Sequence, residues 1–382
     1  MDIQAGLLEH LRERIGVSRI ANVTGLDRIG FAVAAAIRPL SRNITVSFGK
    51  GADFRQASLS AMMESAELHF SETPPGPLQT GTFRNLRAAG AVDPLWFERL
   101  APGPENLWDV TFDWIAAEEL GTGSQVLVPW LMVSMDYSVE ARTAPRHLKF
   151  GATGLAAGFE APRAILHGLC EVIERDAHQA WNLADDEVRA QSLVDQGSIG
   201  APEITRLIAM VRAAGLELMI WDMTADNGIA CYLAEIFDPV AEATTAYVQG
   251  AAAGLSPAEA LHKAIAEAIQ IRLTYISGSR DDLDWSDYGA RYEATVANRR
   301  HIAAKLPARR RMPVEPPPPL SLADALGGVR RKLAAAGYDR IFCVRLTEAA
   351  EAVQVVKVIV PALRDIRDVP VPAVLNPEPV PA

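Results

Sequence analysis

Three segments of this 382-residue chain share one pattern: a short apolar run rich in β-formers, a glycine-rich turn, and a long helical stretch. The runs and their turns occupy residues 44–51, 147–158 and 245–254. Each helical stretch then carries two acidic or amide side chains three residues apart, which are Glu64/Glu67, Glu171/Glu174 and Glu267/Gln270. Because every pair follows its turn by one or two helical turns, we expect five carboxylates and one amide to converge on one site.

Such a cluster of like charges is unstable on its own. Carboxylates held close together in a low-dielectric site repel one another unless cations neutralise them. Carboxylate oxygens are the ligands that Mg²⁺ takes in proteins, usually together with the phosphates of a substrate. The pattern therefore predicts a site for Mg²⁺ and a nucleotide.

Helix starts are well marked in two of the segments. Asp53 followed by Gln56 resembles a capping box, in which a side chain accepts from an exposed backbone N–H. Ser256, with proline at the next position and Glu259 three residues on, is a strong start for the third helix. Each of these helices then presents its acidic pair one or more turns from the start.

The second helix, predicted over 164–180, is apolar nearly all round, which is typical of a buried helix. At 100° per residue, one stripe of it carries five ionisable side chains, namely His167, Glu171, Glu174, Arg175 and His178. Buried charges are costly unless they are paired or bind a cation. Two interpretations stay open: a structural ion-pair network around Arg175, or a metal and nucleotide site.

The rest of the chain indicates an α/β (α+β) fold in irregular order. Residues 202–238 read as a βαβ piece, a helical stretch runs to residue 311, and a strand follows a short helix over 322–335. We predict a single domain over 1–382 with a proline-rich linker at 313–319 and a proline-rich tail at 370–382.

Composition excludes several classes. The net charge of −10 argues against a surface that follows nucleic-acid phosphates. No signal peptide or 18-residue apolar run is present, so we expect a cytoplasmic protein without membrane contact.

The three cysteines lack a CxxC pair, and Cys170 is predicted to be a core thiol. There is no P-loop and no GxSxG elbow, and the helix with Glu171, Glu174 and His178 lacks the Glu-x-x-His step of di-iron bundles.

Four stretches of the chain resemble the YcaO superfamily. They are GKG (49–51) with SAMMESAE (60–67), GLAAGFEAPRAILHGLCEVIERDA (154–177), GLSPAEALHKAIAEAIQIR (254–272) and ISGSRDD (276–282). The opening VTGLDRIG (23–30) is most similar to the branch that works beside TfuA proteins, which includes peptide-thioamidating enzymes. The resemblance covers nearly the whole chain.

The resemblance implies an ATP-dependent enzyme that activates backbone amides of a peptide, with ATP and Mg²⁺ bound in a fold without a P-loop. Carried onto this chain, it implies a site made of Ser60, Glu64, Glu67, Lys263, Gln270 and Arg272 around the nucleotide, with Glu171, Glu174, Arg175 and Glu267 as catalytic residues. Mg²⁺ would be held by Glu64, Glu171, Glu174 and Glu267, and Arg272 would contact phosphate. This chain has Lys263 where the family often has arginine, and Thr153 where it often has asparagine.

The product and the partner stay open at this point. The resemblance is compatible with a thioamide or an azoline, with a TfuA-like or E1-like partner protein, and with a homodimer. Two other classes are an ATP-binding accessory factor for ribosomal-protein methylthiolation and an amide-forming ATP-dependent ligase. The ligase would release ADP and join an amine to a carboxylate, whereas the amide-activating enzyme would change the mass of a peptide.

Overall fold

The structure is a computed structural model that describes residues 3–97, 106–142, 147–240, 246–283, 292–305, 310–313, 315, 318 and 321–363. Its helices are α1 (Ile3–Ile15), α2 (Phe54–Ser71), α3 (Phe83–Leu86), α4 (Val139–Arg142), α5 (Ala161–Leu183), α6 (Asp186–Gln191), α7 (Pro202–Ala213), α8 (Pro257–Ser277), α9 (Tyr292–Lys305) and α10 (Leu322–Ala335). Its strands are β1 (Arg19–Asn22), β2 (Ala32–Ile37), β3 (Val46–Gly51), β4 (Gln79–Thr82), β5 (Thr111–Glu119), β6 (Ser124–Pro129), β7 (Leu155–Gly158), β8 (Glu217–Asp222), β9 (Ala230–Phe237), β10 (Tyr247–Gly254), β11 (Phe342–Arg345) and β12 (Gln354–Ile359).

The strands form three sheets, and the pairings within them are antiparallel. One sheet has the order β1-β2-β3, a second has β10-β9-β8, and the largest has β4-β5-β11-β12-β7 with β6 also paired to β5. The mixed helix and strand content confirms the predicted α/β (α+β) class. None of the helices in the described residues is long and apolar enough to cross a bilayer.

Two local predictions are wrong. Residues 202–238 are not a βαβ piece, because β8 pairs antiparallel with β9 directly after α7. The connection between those two strands is too short for a parallel crossover, which needs a dozen or more residues. The helical stretch to residue 311 ends earlier, since Arg310 forms a bridge with Val194. The tail at 370–382 lies outside the described residues, and so does most of the linker at 313–319.

The three helices that carry the acidic pairs each follow a strand. β3 leads into α2, β7 into α5 and β10 into α8. Each helix packs on its own lead-in strand and also contacts the lead-in strand of another: α2 contacts β7, α5 contacts β10, and α8 contacts β3. The contacts thus run in a closed ring, which brings the three helices around one volume.

Two glycines of these segments have a different role from the predicted one, which was to form a turn before the helix. Gly49 and Gly250 lie inside β3 and β10 and not in turns, while in the second segment the turn at 151–154 precedes β7. A Cβ on Gly49 would lie 2.0 Å from the backbone N of Ala61, and one on Gly250 would lie 2.2 Å from that of Ala268. These glycines are therefore required for close contact between strand and helix.

The predicted helix starts are confirmed. Asp53 is the N-cap of α2 and its side chain accepts from the backbone N–H of Gln56 at 2.9 Å. Ser256 is the N-cap of α8, accepts from the N–H of Glu259, and is followed by proline at the first helical position. Both caps fix where the acidic pair falls along its helix.

Replacing Gly250 by alanine tests the close strand–helix contact. The added Cβ meets backbone of α8, which cannot move aside as a side chain can, so we expect Gly250→Ala to lower the free energy of unfolding by about 3 kcal/mol or more. Gly76→Ala is the control, because nothing lies within 4 Å of its added Cβ, and its effect should stay within about 0.5 kcal/mol. Urea denaturation measures both, and equal midpoints would contradict the packing described here.

Candidate functional site

A cavity of about 980 Å³ lies between α2, α5 and α8, and we call it the carboxylate cavity. Seven of the ten predicted site residues line it: Ser60, Glu64, Glu67, Glu171, Arg175, Glu267 and Gln270. One acidic or amide pair each from α2 and α8 and one member of the pair on α5 thus face a common volume. The predicted convergence of the three helices is confirmed, although Glu174, Lys263 and Arg272 do not line this cavity.

Backbone amides beside β7 orient two of the carboxylates. The N–H of Ala157 donates to Oε1 of Glu67 at 2.7 Å, and the N–H of Gly154 donates to Oε2 of Glu171 at 3.1 Å. Arg175, one helical turn beyond Glu171, approaches Oε1 of that residue at 3.5 Å. Backbone amides of the second segment therefore orient Glu67 of α2 as well as Glu171 of α5.

The basic side chains at the cavity are engaged with acids. Lys50 Nζ lies 3.4 Å from Oε2 of Glu267, which joins the end of β3 to α8. Arg280 forms an ion pair with Asp282, both at the cavity wall. Glu64, by contrast, makes no salt bridge or hydrogen bond within the described part of the chain. The cavity consequently holds more carboxyl groups than basic side chains.

Burial shifts the protonation of these acids. It raises the pKa of Glu64 from 4.5 to about 7, against the opposing charges of Lys50 and Arg280. Burial and the nearby charges of Glu171 and Glu64 raise the pKa of Glu67 well above its ordinary value. The pKa of Glu171 is also raised by burial, although Arg175 opposes the shift. These acids therefore bind protons more readily than free carboxyl groups do, and a bound cation would displace those protons.

His167 and Cys170 belong to the same helix and neither adds a charge. Burial lowers the pKa of His167, which lines the carboxylate cavity, to about 4, so that the ring is neutral at physiological pH. Cys170 is buried and unpaired, and its pKa rises to about 11. The prediction that Cys170 is a core thiol is confirmed.

Glu174 lies beneath the cavity instead of lining it. Its Oε1 is 3.2 Å from Nη1 of Arg175 but has no hydrogen-bond partner among the described residues, and the residue is 6% exposed. Burial raises its pKa well above the ordinary value, with Arg175 opposing. Arg175 thus pairs with both glutamates, as the ion-pair interpretation predicts, while Glu171 also faces the cavity and the metal and nucleotide site stays a prediction.

Lys263 lies on the exposed side of α8. Its Nζ forms an ion pair with Glu259 at 2.6 Å, one turn back on the same helix, and nearly half of its side chain is exposed. Lys263 does not line the cavity, although its charge acts on His167, which does. The expected contact of Lys263 with the nucleotide therefore has no support from its placement.

Arg272 is buried in a separate cluster, and the predicted phosphate contact needs correction. Its guanidinium lies 3.1 Å from Asp27 and 3.1 Å from Asp238, and all three side chains are almost fully buried. Arg28 adds a further bond to Asp238 at 2.8 Å. Two carboxylates already neutralise Arg272, so this residue joins the N-terminal segment to α8 and is not available to a phosphate.

Two basic side chains of the cavity were not predicted to be site residues, although both lie in motifs that carry the family resemblance. Lys50 is the centre of the GKG run, and Arg280 belongs to ISGSRDD. Their positions just before α2 and just after α8 are the only signal in the sequence. Cations at helix-flanking positions beside an acidic pair would be the pattern to look for.

The oxygen donors suit a magnesium–nucleotide complex better than an all-protein metal cage. Among the residues that the structure describes, no three His, Cys, Asp or Glu side chains lie close enough to hold one ion. Mg²⁺ is commonly held by one or two carboxylates together with substrate phosphates and water. The cavity offers carboxylates with unfavourable burial and space for a ligand that brings further oxygens.

Comparison with known proteins agrees with this arrangement. The sequence model of a family described as YcaO cyclodehydratase, ATP- and Mg²⁺-binding, matches residues 48–364. An uncharacterized protein in the tfuA 3′ region of Rhizobium leguminosarum bv. trifolii is 33% identical over 368 residues, which is 94% of this chain and 86% of the relative. Both matches extend over all three acidic segments.

Solved structures share the fold. YcaO from Methanopyrus kandleri bound with AMPPCP and Mg²⁺ superposes with a TM-score of 0.69 at 20% identity, over 96% of this chain and 92% of that one. A heterocyclase in complex with substrate and cofactor gives a TM-score of 0.73 at 19% identity, over 94% of this chain. The chain spans about half the length of that heterocyclase, 52%.

The pKa of Glu64 predicts how stability depends on pH without nucleotide. The unfolded chain releases this proton near pH 4.5 and the folded chain near 7, so the free energy of unfolding should fall as pH rises through that window. The loss is at most about 3 kcal/mol, and Glu64→Gln should remove it. Chemical denaturation at a series of pH values with chelator present measures the slope. Identical slopes in the two proteins would show that Glu64 titrates normally.

Substitution of Arg272 tests its assignment to the buried cluster. Arg272→Met leaves Asp27 and Asp238 without their shared cation, so it should lower the free energy of unfolding by about 3 kcal/mol or more. Lys263→Met breaks an exposed pair and should cost less than about 1 kcal/mol. Denaturation and nucleotide titration are measured on both variants. Weakened nucleotide binding by Arg272→Met at unchanged stability would restore the phosphate contact.

Proposed function

This chain belongs to the YcaO family, and we propose that it uses ATP and Mg²⁺ to activate backbone amides of a ribosomally made peptide. The observation that carries the proposal is the carboxylate cavity, where three helices bring buried acids to one volume. The heterocyclase that shares this fold was solved in complex with a substrate and a cofactor, which supports a chain that binds both.

Within this proposal Glu64, Glu171 and Glu267 would each offer carboxylate oxygens to Mg²⁺ that arrives with the nucleotide, one or two of them to any one ion, and Ser60, Glu67 and Gln270 would complete the wall around the nucleotide. Mg²⁺, when bound, would neutralise charge that develops on the phosphate oxygens. Lys50 and Arg175 are the basic side chains nearest to these acids and would face the phosphates. Glu174, buried beneath them, keeps Arg175 in place and is proposed as a positioning residue.

The chemistry explains the need for ATP. A nucleophile adds to the amide carbon and leaves a negative oxygen that departs poorly. Transfer of the γ-phosphoryl group to that oxygen forms a new P–O bond and releases ADP, and the C–O bond then breaks to release phosphate. A Cys, Ser or Thr nucleophile of the peptide gives an azoline with net loss of water, and external sulfide gives a thioamide. Positioning and charge neutralisation supply most of the catalysis in such transfers.

The choice between the two products depends on the partner. The relative that lies in a tfuA 3′ region favours a TfuA-like partner and hence a thioamide, whereas the family description favours cyclodehydration. An E1-like partner would accompany the azoline. A homodimer and a cytoplasmic location remain predictions of the same proposal.

Mass spectrometry separates these outcomes. The full chain is incubated with ATP, Mg²⁺, the protein encoded beside its gene, and a precursor peptide from the same neighbourhood. Exchange of oxygen for sulfur identifies thioamidation, and loss of water identifies azoline formation. ATP hydrolysis with an unchanged peptide would indicate an accessory factor, and ADP release with a new amide bond would indicate a ligase; either result would overturn the proposal.

Glu171→Gln should abolish nucleotide turnover without harming the fold. The amide cannot supply the charge that a bound cation needs, so we expect ATP hydrolysis to fall by about 100-fold or more. Because burial of the Glu171 carboxylate is costly and the neutral amide removes that cost, the unfolding midpoint should stay the same or rise. Glu160→Gln, at the exposed start of the same helix, is the control and should change neither property. Full turnover in Glu171→Gln would remove this residue from the site.

A further inference from the structure

A second cavity of about 540 Å³ adjoins the carboxylate cavity, and we call it the apolar cavity. The two share Phe150 as a wall. The segment that follows alternates between them, since Gly151 and Thr153 line the apolar cavity and Ala152 lines the carboxylate cavity. The turn at 151–154, together with Phe150, therefore separates the two volumes.

Helix α5 also borders both cavities, with two different stripes. His167, Glu171 and Arg175 line the carboxylate cavity, whereas Val172, Gln179 and Leu183 line the apolar one. At 100° per residue, these stripes are centred about 100° apart on the helix. A ligand that reaches from one cavity to the other would thus lie across α5.

The lining of the apolar cavity is typical of a site for an organic ligand. Aromatic and aliphatic side chains dominate it, with Phe97 and Val360 buried and Trp96 and Leu183 about half exposed. A volume of this size with an apolar wall and a few polar groups is usual for ligand pockets. The exposed pair Trp96 and Leu183 leaves apolar surface accessible from solvent, as entry of a peptide side chain requires.

A buried lysine marks the boundary between the cavities. Lys357 lies in β12, between β11 and β7, is 3% exposed, and donates from Nζ to the carbonyl of Gly151. Its charge also acts on Glu171 at the other side of the wall. An ammonium group in the middle of a sheet is costly to bury, so its place in the wall of the apolar cavity, with its charge acting on Glu171, indicates a use in the site.

Backbone strain occurs at the same wall. Ala362, which lines the apolar cavity just beyond β12, has φ of 69°, and no other non-glycine residue in the described ranges has positive φ. L-residues avoid this region, and those that adopt it cluster at sites that bind or react. The strain and the buried lysine point independently to the same cavity.

We propose that the apolar cavity binds the substrate peptide beside the amide that reacts, with an aromatic or aliphatic side chain of the peptide inside it. The reacting carbonyl would then lie at the boundary, near Lys357 and next to the nucleotide. This inference rests on the proposed function and specifies its substrate: a peptide segment with an apolar residue adjacent to the modified amide.

Selection of peptides tests the inference without knowledge of the natural substrate. A random decapeptide display library is selected on the full chain loaded with a non-hydrolysable ATP analogue and Mg²⁺. The variants are Leu183→Glu, which puts a charge at the cavity mouth, and Val188→Glu, a control of similar exposure on α6 that lies outside the cavity. Nucleotide affinity of every protein is measured in parallel.

We expect the wild-type chain and Val188→Glu to enrich the same peptides, each with an aromatic or aliphatic residue. Leu183→Glu should bind these peptides about tenfold or more weakly, since a carboxylate at an apolar wall disfavours them, with nucleotide affinity unchanged. Equal binding to Leu183→Glu, or no enriched peptide on a chain that binds nucleotide, would overturn the inference. Failure of the wild-type chain to bind nucleotide would instead overturn the proposed function.

Discussion

Mutual repulsion among the acids of the carboxylate cavity is the constraint on which the rest of this structure depends. Glu64, Glu67, Glu171 and Glu267 come from three helices, and burial raises the pKa of the first three. Lys50 and Arg175 neutralise only part of that charge. A ligand that binds the folded chain alone stabilises it by mass action. Burying these acids together destabilises the folded chain, and a divalent cation with its nucleotide would stabilise it by neutralising them.

Holding such a site open requires a scaffold that cannot relax. The strand–helix contacts at Gly49 and Gly250 bring backbone against backbone, which leaves no flexible side chain between β3 and α2 or between β10 and α8. The ring of contacts α2–β7, α5–β10 and α8–β3 then ties each helix to the lead-in strand of another. Close packing of this kind transmits strain instead of absorbing it. Repulsion between the helices is therefore resisted by the fold as a whole.

Periodicity and caps predicted much of this arrangement, because both are local. The starts of α2 and α8 follow from Asp53 and Ser256, and seven of the ten predicted site residues face the cavity because helical spacing fixes their side. Arg272 was misassigned because its partners Asp27 and Asp238 are distant in sequence, and no periodic pattern reveals such a pairing. Glu174 lies between Glu171 and Arg175 along the helix, but at 100° per residue it falls just outside the arc of the three residues of α5 that line the cavity. The glycines were assigned to turns because contact with a later helix leaves no local trace.

Helix α5 lines both the carboxylate cavity and the apolar cavity. Its acidic stripe meets the carboxylate cavity, and a stripe about 100° away meets an apolar wall. A fully apolar helix would fold more easily, so the charges are retained against their burial cost. Proximity of a phosphoryl donor and an amide acceptor is worth several orders of magnitude in rate when both are held in a fixed relation. Under the proposed function, a single rigid helix that borders both volumes would fix that relation directly, which offers a reason for buried charge and apolar surface side by side on α5.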